Sequence, residues 1–429
     1  MKTISCFLLI LALVELGITQ TSSSQSSPLL AYDTPAEVGM SAERLARIDA
    51  MCEETIANNE VPAMVALVAR KGKIVYHKAF GLENVEKEIK IDRDAIFRIA
   101  SQTKAITSTA VMMLWEEGKF RLDDPISTYI PEFKNPQVLA GFRYADTSYT
   151  TRPANNEITI RHLLTHTSGI GYGFIDGDER MKMIYRKAGI VEAFEVRDYT
   201  IKENIKKLGP LPLHHDPGEK YTYSLGLDVL GYFVEIMSGM TFEEFLLQRL
   251  FTPLGMNDTF FYLPKEKTDR LAMVQQPENG SWTKYTGNGY EADFPLKGAK
   301  AFFSGGAGLS STAKDYANFL QMYLNGGELN GVRILSRTTI NTIMANQIGD
   351  IWQGDRVLGL AFGVLTEEAV ATGGQGSKGT FDWGGYFNTQ YFADPEEQLI
   401  GILMKQTRGQ QHDQSGWKFR LLANQAIDN

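Results

Sequence analysis

The sequence predicts an α/β fold in which both ends of the chain combine strands with helices and the middle is mostly helical. Strand-like apolar runs occur before residue 100 and again after residue 300. Between Trp115 and Lys300 strand alternation is scarce, and helical periodicity is punctuated by proline and glycine. Because 429 residues is long for one compact core, we expect two lobes.

The N-terminal part is predicted to run helix, hairpin, strand. Ser41 is the expected N-cap of the helix, and Lys71-Gly72 is the turn signal of the hairpin. A short buried run over 96–100 then leads into a second helix. The first helix is predicted over residues 35–60, and the hairpin strands over 64–69 and 73–81.

The other elements follow from the same periodicities. In the middle, helices are predicted over 160–165, 191–208, 225–237 and 241–250, and a polar, aromatic loop over 144–156. After a glycine-rich boundary at 303–308, helices are predicted over 312–325 and 417–427. Strands are predicted over 357–365, 380–384, 390–393 and 399–405.

A Ser-x-x-Lys pattern occurs four times, and its setting distinguishes one copy from the others. Ser281 lies in a predicted loop, Ser311 is a predicted helix N-cap, and Ser415 precedes the last helix. Only Ser101 follows a buried run and opens a helix, with Lys104 one turn further along the same face. The other three copies are therefore interpreted as capping or loop chemistry.

The setting of Ser101 suits a nucleophile. A serine hydroxyl attacks poorly unless a neighbouring group takes its proton, and a lysine does so when burial lowers its pKa towards neutrality. The free N–H groups and the positive dipole end of the following helix would stabilise a developing oxyanion.

A metal site is the main alternative for a catalytic centre. His162 and His166 are spaced i and i+4, which is a metal-ligand spacing on a helix. Leu163 stands where a zinc peptidase would carry glutamate, and no acidic third ligand is close in sequence. Hydrogen-bonded histidines at a buried helix end are therefore favoured, and no metal is predicted. Neither a Gly-x-Ser-x-Gly elbow nor a Walker A sequence is present, which excludes two further enzyme classes.

Two later stretches could supply partners for Ser101. Tyr223 follows a Pro-Gly turn; alone it would be a core or capping aromatic, but beside a Ser/Lys pair its phenol could relay a proton. Gly384 and Gly385 lie in a predicted strand, where glycines indicate a close backbone approach, for instance by a ligand carbonyl. A bulge or a packing site is the alternative for the glycine pair.

Taken in order, these stretches resemble the motifs of the serine β-lactamase and penicillin-binding-protein superfamily. They are Ser101-Gln102-Thr103-Lys104, Tyr223-Ser224-Leu225 and Trp383-Gly384-Gly385. The pattern is most similar to a class C-like branch, the family VIII esterases with a β-lactamase fold. The stretches 158–169 and 305–312 also resemble this family, so the resemblance covers nearly all of the chain after Pro35.

The resemblance implies an antiparallel sheet flanked by helices, with an inserted, mostly helical lobe. The α/β lobe would combine residues 28–100 and 300–429. The helical lobe would hold residues 101–299, including the Ser101 helix. The site would lie between the lobes, a common place for a pocket.

The resemblance also implies roles for individual residues. Ser101 would be the nucleophile, and Lys104 and Tyr223 would handle its proton. The N–H groups of Ser101 and Tyr386 would form the oxyanion hole.

Two departures from the β-lactamase pattern concern substrate binding, which the resemblance assigns to Leu225, Trp383, Gly384 and Gly385. Leu225 replaces an asparagine that holds a substrate amide, and Trp383 replaces a lysine that pairs with a substrate carboxylate. Tryptophan offers an apolar face instead. Both changes favour uncharged esters over anionic peptides and β-lactams.

The expected function is a serine carboxylesterase that cleaves short acyl esters through an acyl-enzyme, without a metal or organic cofactor. The expected partner is a small-molecule ester. The alternatives are a D-amino-acid peptidase or carboxypeptidase, a weak β-lactamase, an acyltransferase, and a catalytically silent binding protein on the same fold. Intact Ser101, Lys104 and Tyr223 argue against the silent protein.

Composition and the N-terminus bear on location. The formal charge of −8, without a long basic run, argues against nucleic-acid and anionic-membrane partners. Residues 1–20 resemble a secretory signal peptide, with an apolar run that is short for a membrane span and contains Glu15. We therefore expect a periplasmic or extracellular protein without stable membrane insertion. After cleavage only Cys52 would remain, so no intramolecular disulfide is expected.

Overall fold

The computed structural model describes residues 28–287, 291–352, 354–409 and 412–429, so the predicted signal peptide lies outside the described residues. The strands are β1 (Ala31–Tyr32), β2 (Ala63–Arg70), β3 (Lys73–Asn84), β4 (Ile89–Lys90), β5 (Phe97–Arg98), β6 (Gln137–Arg143), β7 (Ser148–Pro153), β8 (Gln275–Glu278), β9 (Ser281–Lys284), β10 (Ser310–Ser311), β11 (Glu328–Leu329), β12 (Val332–Arg333), β13 (Arg356–Leu358), β14 (Gly363–Leu365), β15 (Phe381–Gly385), β16 (Thr389–Asp394) and β17 (Leu399–Met404). The α-helices are α1 (Ala42–Ala57), α2 (Thr103–Glu116), α3 (Ile160–Leu164), α4 (Glu179–Ala188), α5 (Ile201–Leu208), α6 (Gly226–Ser238), α7 (Phe242–Leu246), α8 (Phe294–Lys297), α9 (Ala313–Leu324), α10 (Arg337–Met344), α11 (Glu367–Ala371) and α12 (Ser415–Gln425).

A nine-stranded sheet combines strands from both ends of the chain. Its order is β1, β3, β2, β17, β16, β15, β14 and β13, and β4 also pairs with β3. Neighbouring strands are antiparallel except β1 and β3, which run parallel. The predicted α/β fold is confirmed, but the sheet is mixed, because the two-residue strand β1 joins its edge in the parallel direction.

The hairpin of β2 and β3 has the predicted turn. Lys71 and Gly72 both have positive φ, 49° and 77°. Two successive residues with positive φ are what a two-residue type I′ turn requires, and glycine adopts this conformation without steric cost. The turn signal in the sequence therefore specified the register of this hairpin.

Strand β2 is buried on both faces, and alternate residues enter two different cores. Val65 and Leu67 pack into the larger core with residues of α2 and α9. Met64, Ala66 and Val68 pack into a smaller core with residues of α1 and α12. This two-sided burial explains why β2 is a continuous apolar run and not an alternating one.

Three predictions of local structure were wrong. The stretch 144–156 contains a hairpin, because β7 pairs with β6; every residue of β7 is exposed, so no apolar alternation marked it. The predicted helix over 191–208 begins only at Ile201, where Thr200 and Glu203 form a capping box. The predicted strand over 357–365 is a hairpin of β13 and β14.

Helices α3 to α7 fall between residues 101 and 299, where the helical lobe is predicted, together with the hairpins β6–β7 and β8–β9. Helix α2 packs against α6 within this stretch. The division into lobes stays a prediction. Within the described ranges, no helix has both the length and the apolar character needed to span a membrane.

Candidate active site

Ser101 lies in a short turn between strand β5 and helix α2. The turn is a 3₁₀ helix over Ala100–Gln102, so Ser101 stands just before the α-helix and not within its first turn. Ala100 is fully buried and has φ of +43°, in the left-handed region that residues other than glycine rarely adopt. Such strain concentrates at functional sites, where the surrounding packing holds it.

The Ser101 hydroxyl is contacted by both predicted partners. The Tyr223 hydroxyl donates to Ser101 Oγ at 2.7 Å, and Lys104 Nζ donates to it at 3.3 Å. Lys104 is 4% exposed, and its Nζ also donates to the Gly306 carbonyl at 2.7 Å. The structure thus brings together three side chains that the sequence separates by up to 122 positions.

A buried histidine holds the segment that carries Tyr223. His166 Nδ1 lies 3.0 Å from Ser224 Oγ and accepts the Ser224 N–H at 3.2 Å. Burial, helped by the charge of Lys104, lowers the pKa of His166 well below its usual value. His162 Nδ1 accepts the Thr159 N–H in a capping box. Both histidines of the i, i+4 pair are therefore hydrogen-bond partners, as the favoured interpretation expected.

Tyr172 is a site residue that the sequence reasoning missed. Its ring stacks on that of Tyr223 with centroids 5.3 Å apart and an interplanar angle of 6°. Its hydroxyl lies 3.4 Å from Lys104 Nζ. Burial, with Tyr223 and nearby carboxylates, raises the pKa of Tyr172 well above its usual value. An aromatic residue inside the glycine-rich stretch 169–173 was the available signal.

Asp228 is a second missed residue, linked to Lys104 through the backbone. Its carboxylate accepts hydrogen bonds from Ser304 Oγ at 2.6 Å and from the Gly306 N–H at 3.2 Å. The Gly306 carbonyl in turn accepts from Lys104. Burial raises the pKa of Asp228, against the effects of Ser304 and Lys104. A charged residue in the otherwise apolar first turn of α6 was the signal.

The two glycines of the third motif have different environments. A Cβ on Gly385 would lie 2.5 Å from the Ile99 carbonyl oxygen, whereas a Cβ on Gly384 would meet its nearest neighbour, the Thr389 carbonyl oxygen, at 3.4 Å. The predicted close approach is therefore real at Gly385, and the backbone that approaches is the segment leading into Ser101. Tyr386 follows directly and lines the same cavity as Ser101.

That cavity has a volume of about 130 Å³, and its lining combines polar and apolar groups in similar proportion. Ser101, Tyr172 and Tyr386 line it, and Glu192 adds a carboxyl group. Burial raises the pKa of Glu192 to about 7, although the Phe174 N–H opposes this shift. Nothing in the sequence marked Glu192, because it fell in a predicted helix that does not form. The apolar lining includes Ile175, Ile190, Val191, Ala193, Phe194 and Ala307.

None of the four predicted substrate contacts lines this cavity. Leu225 is fully buried and packs in the main core, so its side chain cannot meet a substrate; this prediction is corrected. Trp383 and Gly384 line a second depression beside Arg356 and Trp417. The Trp383 ring lies 6.3 Å from that of Tyr223. Trp383 therefore borders the catalytic tyrosine candidate without lining the Ser101 cavity.

The other Ser-x-x-Lys copies have different settings. Ser281 begins an exposed strand rather than lying in a loop, and Ser311 lies in β10 while Thr312 caps α9. Ser415 begins α12, and its Oγ accepts from buried Lys405 Nζ at 2.8 Å. Lys405 also pairs with Asp413 at 2.6 Å. This second Ser–Lys contact is structural, since Ser415 and Lys405 are both fully buried.

A family model described as beta-lactamase matches residues 48–425 of the chain. The chain belongs to the β-lactamase family. Esterase EstB of Burkholderia gladioli is 32% identical over 386 residues, which cover 85% of this chain and 91% of EstB. Lovastatin esterase of Penicillium rubens is 30% identical and covers 79% of this chain and 87% of its own length.

Solved structures share the fold of this chain. EstCE1, described as a hydrolase with promiscuous acyltransferase activity, superposes with a TM-score of 0.74 at 25% identity, covering 90% of this chain and 98% of EstCE1. Simvastatin synthase LovD from Aspergillus terreus has a TM-score of 0.73 at 22% identity and covers 90% of this chain and 98% of its own, which shows the shared fold. The chain is a serine hydrolase or acyltransferase of the β-lactamase fold.

Proposed function

We propose that the protein is a serine carboxylesterase that cleaves esters of short acyl chains. The observation that carries this proposal is the Ser101 hydroxyl, held at 2.7 Å from Tyr223 and 3.3 Å from Lys104 beside a cavity lined by both apolar and polar groups. The 32% identity to an esterase over 85% of the chain supports the reaction class.

The reaction would proceed in two acyl transfers. Ser101 Oγ attacks the ester carbonyl carbon while its proton passes to the Lys104–Tyr223 pair. The carbonyl oxygen becomes an oxyanion, which the N–H groups of Ser101 and Tyr386 are proposed to stabilise. The intermediate then collapses, and the alcohol leaves with the proton. Water repeats the attack on the acyl-enzyme and releases the carboxylic acid and free Ser101.

Transfer of the acyl group to an alcohol is a second candidate function. EstCE1, which superposes over 90% of this chain, is described as having promiscuous acyltransferase activity. The acyl-enzyme is common to both reactions, and only the attacking hydroxyl differs. Adding an alcohol such as 1-butanol to the assay would reveal a butyl ester product if the acceptor site takes alcohols.

Release of nitrophenol from 4-nitrophenyl butanoate tests the esterase. Ser101→Ala should lower turnover on the order of 10⁴-fold while the protein stays folded. Ser281→Ala is the matched control, because it removes the serine of another Ser-x-x-Lys copy, which is exposed and does not line the cavity. A serine-directed phosphonate should label the peptide that holds Ser101. Labelling at Ser281, Ser311 or Ser415 instead would contradict the assignment.

A further inference from the structure

Glu192 is a charged residue of the Ser101 cavity that lacks a cationic partner. The cavity is also lined by Glu195 and Arg197, but these two pair with each other at 2.5 Å. Glu192 Oε1 accepts the Phe174 N–H at 2.5 Å. Across the described part of the chain, no lysine or arginine pairs with Glu192, and no hydrogen bond reaches its Oε2.

Burial and neighbouring acidic groups disfavour the ionised form of Glu192. Asp228 and Asp176 add repulsion, and each accepts hydrogen bonds from other groups, Asp228 through its Oδ1 from Ser304 and Asp176 from His214. Lys104 directs its ammonium group to Ser101 and to the Gly306 carbonyl. A ligand that places a hydrogen-bond donor at Glu192 Oε2 would offset both the burial of this carboxylate and the repulsion.

We propose that Glu192 makes the cavity selective for acyl chains that carry a hydrogen-bond donor, an ammonium or a hydroxyl group, at the end away from the ester. This selectivity rests on the proposed function, since it names the acyl group that the same site accepts. The apolar lining would hold the carbon chain, and Glu192 Oε2 would accept the hydrogen bond. An acyl chain that ends in a carboxylate would be repelled.

A purely structural role must be distinguished from this one. Glu192 shapes the loop before α4. Its Oε1 accepts the Phe174 N–H and lies so close to Gly173 that a Cβ on that residue would clash with it. Glu192→Gln retains an oxygen that accepts the Phe174 N–H but removes the charge. Glu235→Gln is the matched control, since Glu235 is also half-buried and accepts a backbone N–H, from Phe242, outside the cavity.

The experiment uses three 4-nitrophenyl esters with acyl groups of equal heavy-atom count: butanoate, 3-hydroxypropanoate and 3-aminopropanoate. The kcat/KM of each is measured for wild type, E192Q and E235Q at about pH 8, above the pKa of Glu192 and where most of the amine is protonated. In E192Q the ratio of 3-aminopropanoate to butanoate should fall by about tenfold, and the hydroxyl ester should show a smaller fall. In E235Q both ratios should match wild type.

Equal ratios in wild type and E192Q would overturn the selectivity and leave Glu192 as a loop-holding residue. An equal fall in E235Q would also overturn it, because the effect would not be local to the cavity. If wild type fails to hydrolyse even butanoate, the proposed esterase function falls, and the selectivity with it. The butanoate rate thus separates failure of the proposed function from failure of this inference.

Discussion

At the scale of single residues, Lys104 has a donor geometry that leaves little freedom. Its Nζ contacts Ser101 Oγ, the Gly306 carbonyl and the Tyr172 hydroxyl at 3.3, 2.7 and 3.4 Å. It also lies 4.5 Å from the centre of the Tyr223 ring. These three contacts fix the position of Nζ, so the lysine is held in one orientation towards Ser101.

Lys104→Arg tests whether this lysine accepts a proton or only supplies charge. Arginine keeps the positive charge but stays protonated, so kcat for 4-nitrophenyl butanoate should fall on the order of 10³-fold. Tyr172→Phe is a milder comparison, because it keeps the stack on Tyr223 and removes only the 3.4 Å contact. Near-normal turnover in Lys104→Arg would show that the lysine is an electrostatic support alone.

At the scale of elements, the turn between β15 and β16 positions Tyr386 against Ser101. Asn388 has φ of +71°, and its N–H donates to the Gly385 carbonyl to close the turn. The Asn388 side chain donates to Asp413 at 2.8 Å and to Thr407 at 3.0 Å. The turn is therefore tied to the segment after β17 and to the buried Lys405–Asp413 pair.

The glycine pair of this hairpin offers a matched comparison. Gly385→Ala would place a Cβ against Thr389 Oγ1, which could rotate away, and 2.5 Å from the Ile99 carbonyl oxygen, which is backbone, so β15 must move away from the segment that leads into Ser101. A displacement of about 1 Å at the oxyanion site should lower kcat on the order of 10²-fold. Gly384→Ala meets its nearest neighbour at 3.4 Å and should retain activity within a few-fold, roughly. The kcat of each variant is measured on one ester. Equal losses of kcat in the two variants would contradict a special role for Gly385.

The Lys405–Asp413 pair should make the fold sensitive to acid. Burial opposes ionisation of Asp413, but Lys405, Ser415 and Asn388 outweigh it and lower the pKa of Asp413 to about 2. Because this pKa is below its unfolded value of about 3.9, the stabilisation is present above pH 4 and is lost as pH falls towards about 2. Asp413→Asn should therefore lower the free energy of unfolding at neutral pH by about 3–5 kcal/mol, since it leaves Lys405 buried without its partner.

Urea unfolding across pH measures this effect, and the gap between wild type and Asp413→Asn should narrow below about pH 4. Glu367→Gln is the control, because Glu367 pairs with Lys378 on the surface at 2.9 Å, with the two side chains 80% and 67% exposed. An exposed pair contributes about 0–1 kcal/mol. A gap that stays constant across pH would contradict the assigned role of Asp413.

At the scale of the whole molecule, the fold brings four distant segments to one hydroxyl. Ser101 and Lys104 come from the start of α2, and Tyr223 comes from the segment before α6. Gly306 and Tyr386 come from the C-terminal part of the chain. Selectivity among substrates should therefore depend on residues from several segments, including Trp383 beside Tyr223.

Trp383 should favour neutral esters over anionic substrates. A carboxylate near Trp383 would lose water without gaining the lysine partner that the β-lactamase motif supplies. We expect kcat/KM for 4-nitrophenyl butanoate to exceed that for nitrocefin or a D-Ala-D-Ala peptide by about a hundredfold, or about 2.7 kcal/mol. Trp383→Lys should narrow this difference, and paired kinetics on one preparation measure it. Leu225→Asn would not test substrate binding, because it would bury an amide in the core.

Equal rates on the β-lactam or the peptide and on the ester would replace the esterase proposal with a lactamase or peptidase. If wild type prefers the ester and Trp383→Lys has the same preference, residues other than Trp383 determine the selectivity. The residues that line the Ser101 cavity, including Glu192, would then be the next candidates for determining substrate selectivity.

Local signals in the sequence predicted much of the fold. The β2–β3 hairpin and the Ser41 cap of α1 were predicted from turn and capping chemistry, which acts over a few residues. Helix α9 was also predicted, but its cap is Thr312 and not the predicted Ser311. The hairpin β6–β7 was missed because every residue of its second strand is exposed, so the sequence of that strand does not alternate between apolar and polar residues. The absence of helix before Ile201 was missed because apolar residues there line a cavity instead of a helix face.

The sequence by itself determined the strand-to-helix setting of Ser101, the neighbouring Lys104 and the order of the three motifs. Only the tertiary structure placed Tyr223 at 2.7 Å from Ser101, buried Leu225 away from the cavity, and added Tyr172, Asp228 and Glu192 to the surroundings. The physical reason is range. Turns and helix caps depend on hydrogen bonds between residues a few positions apart, whereas burial and hydroxyl contacts depend on which distant segments pack together.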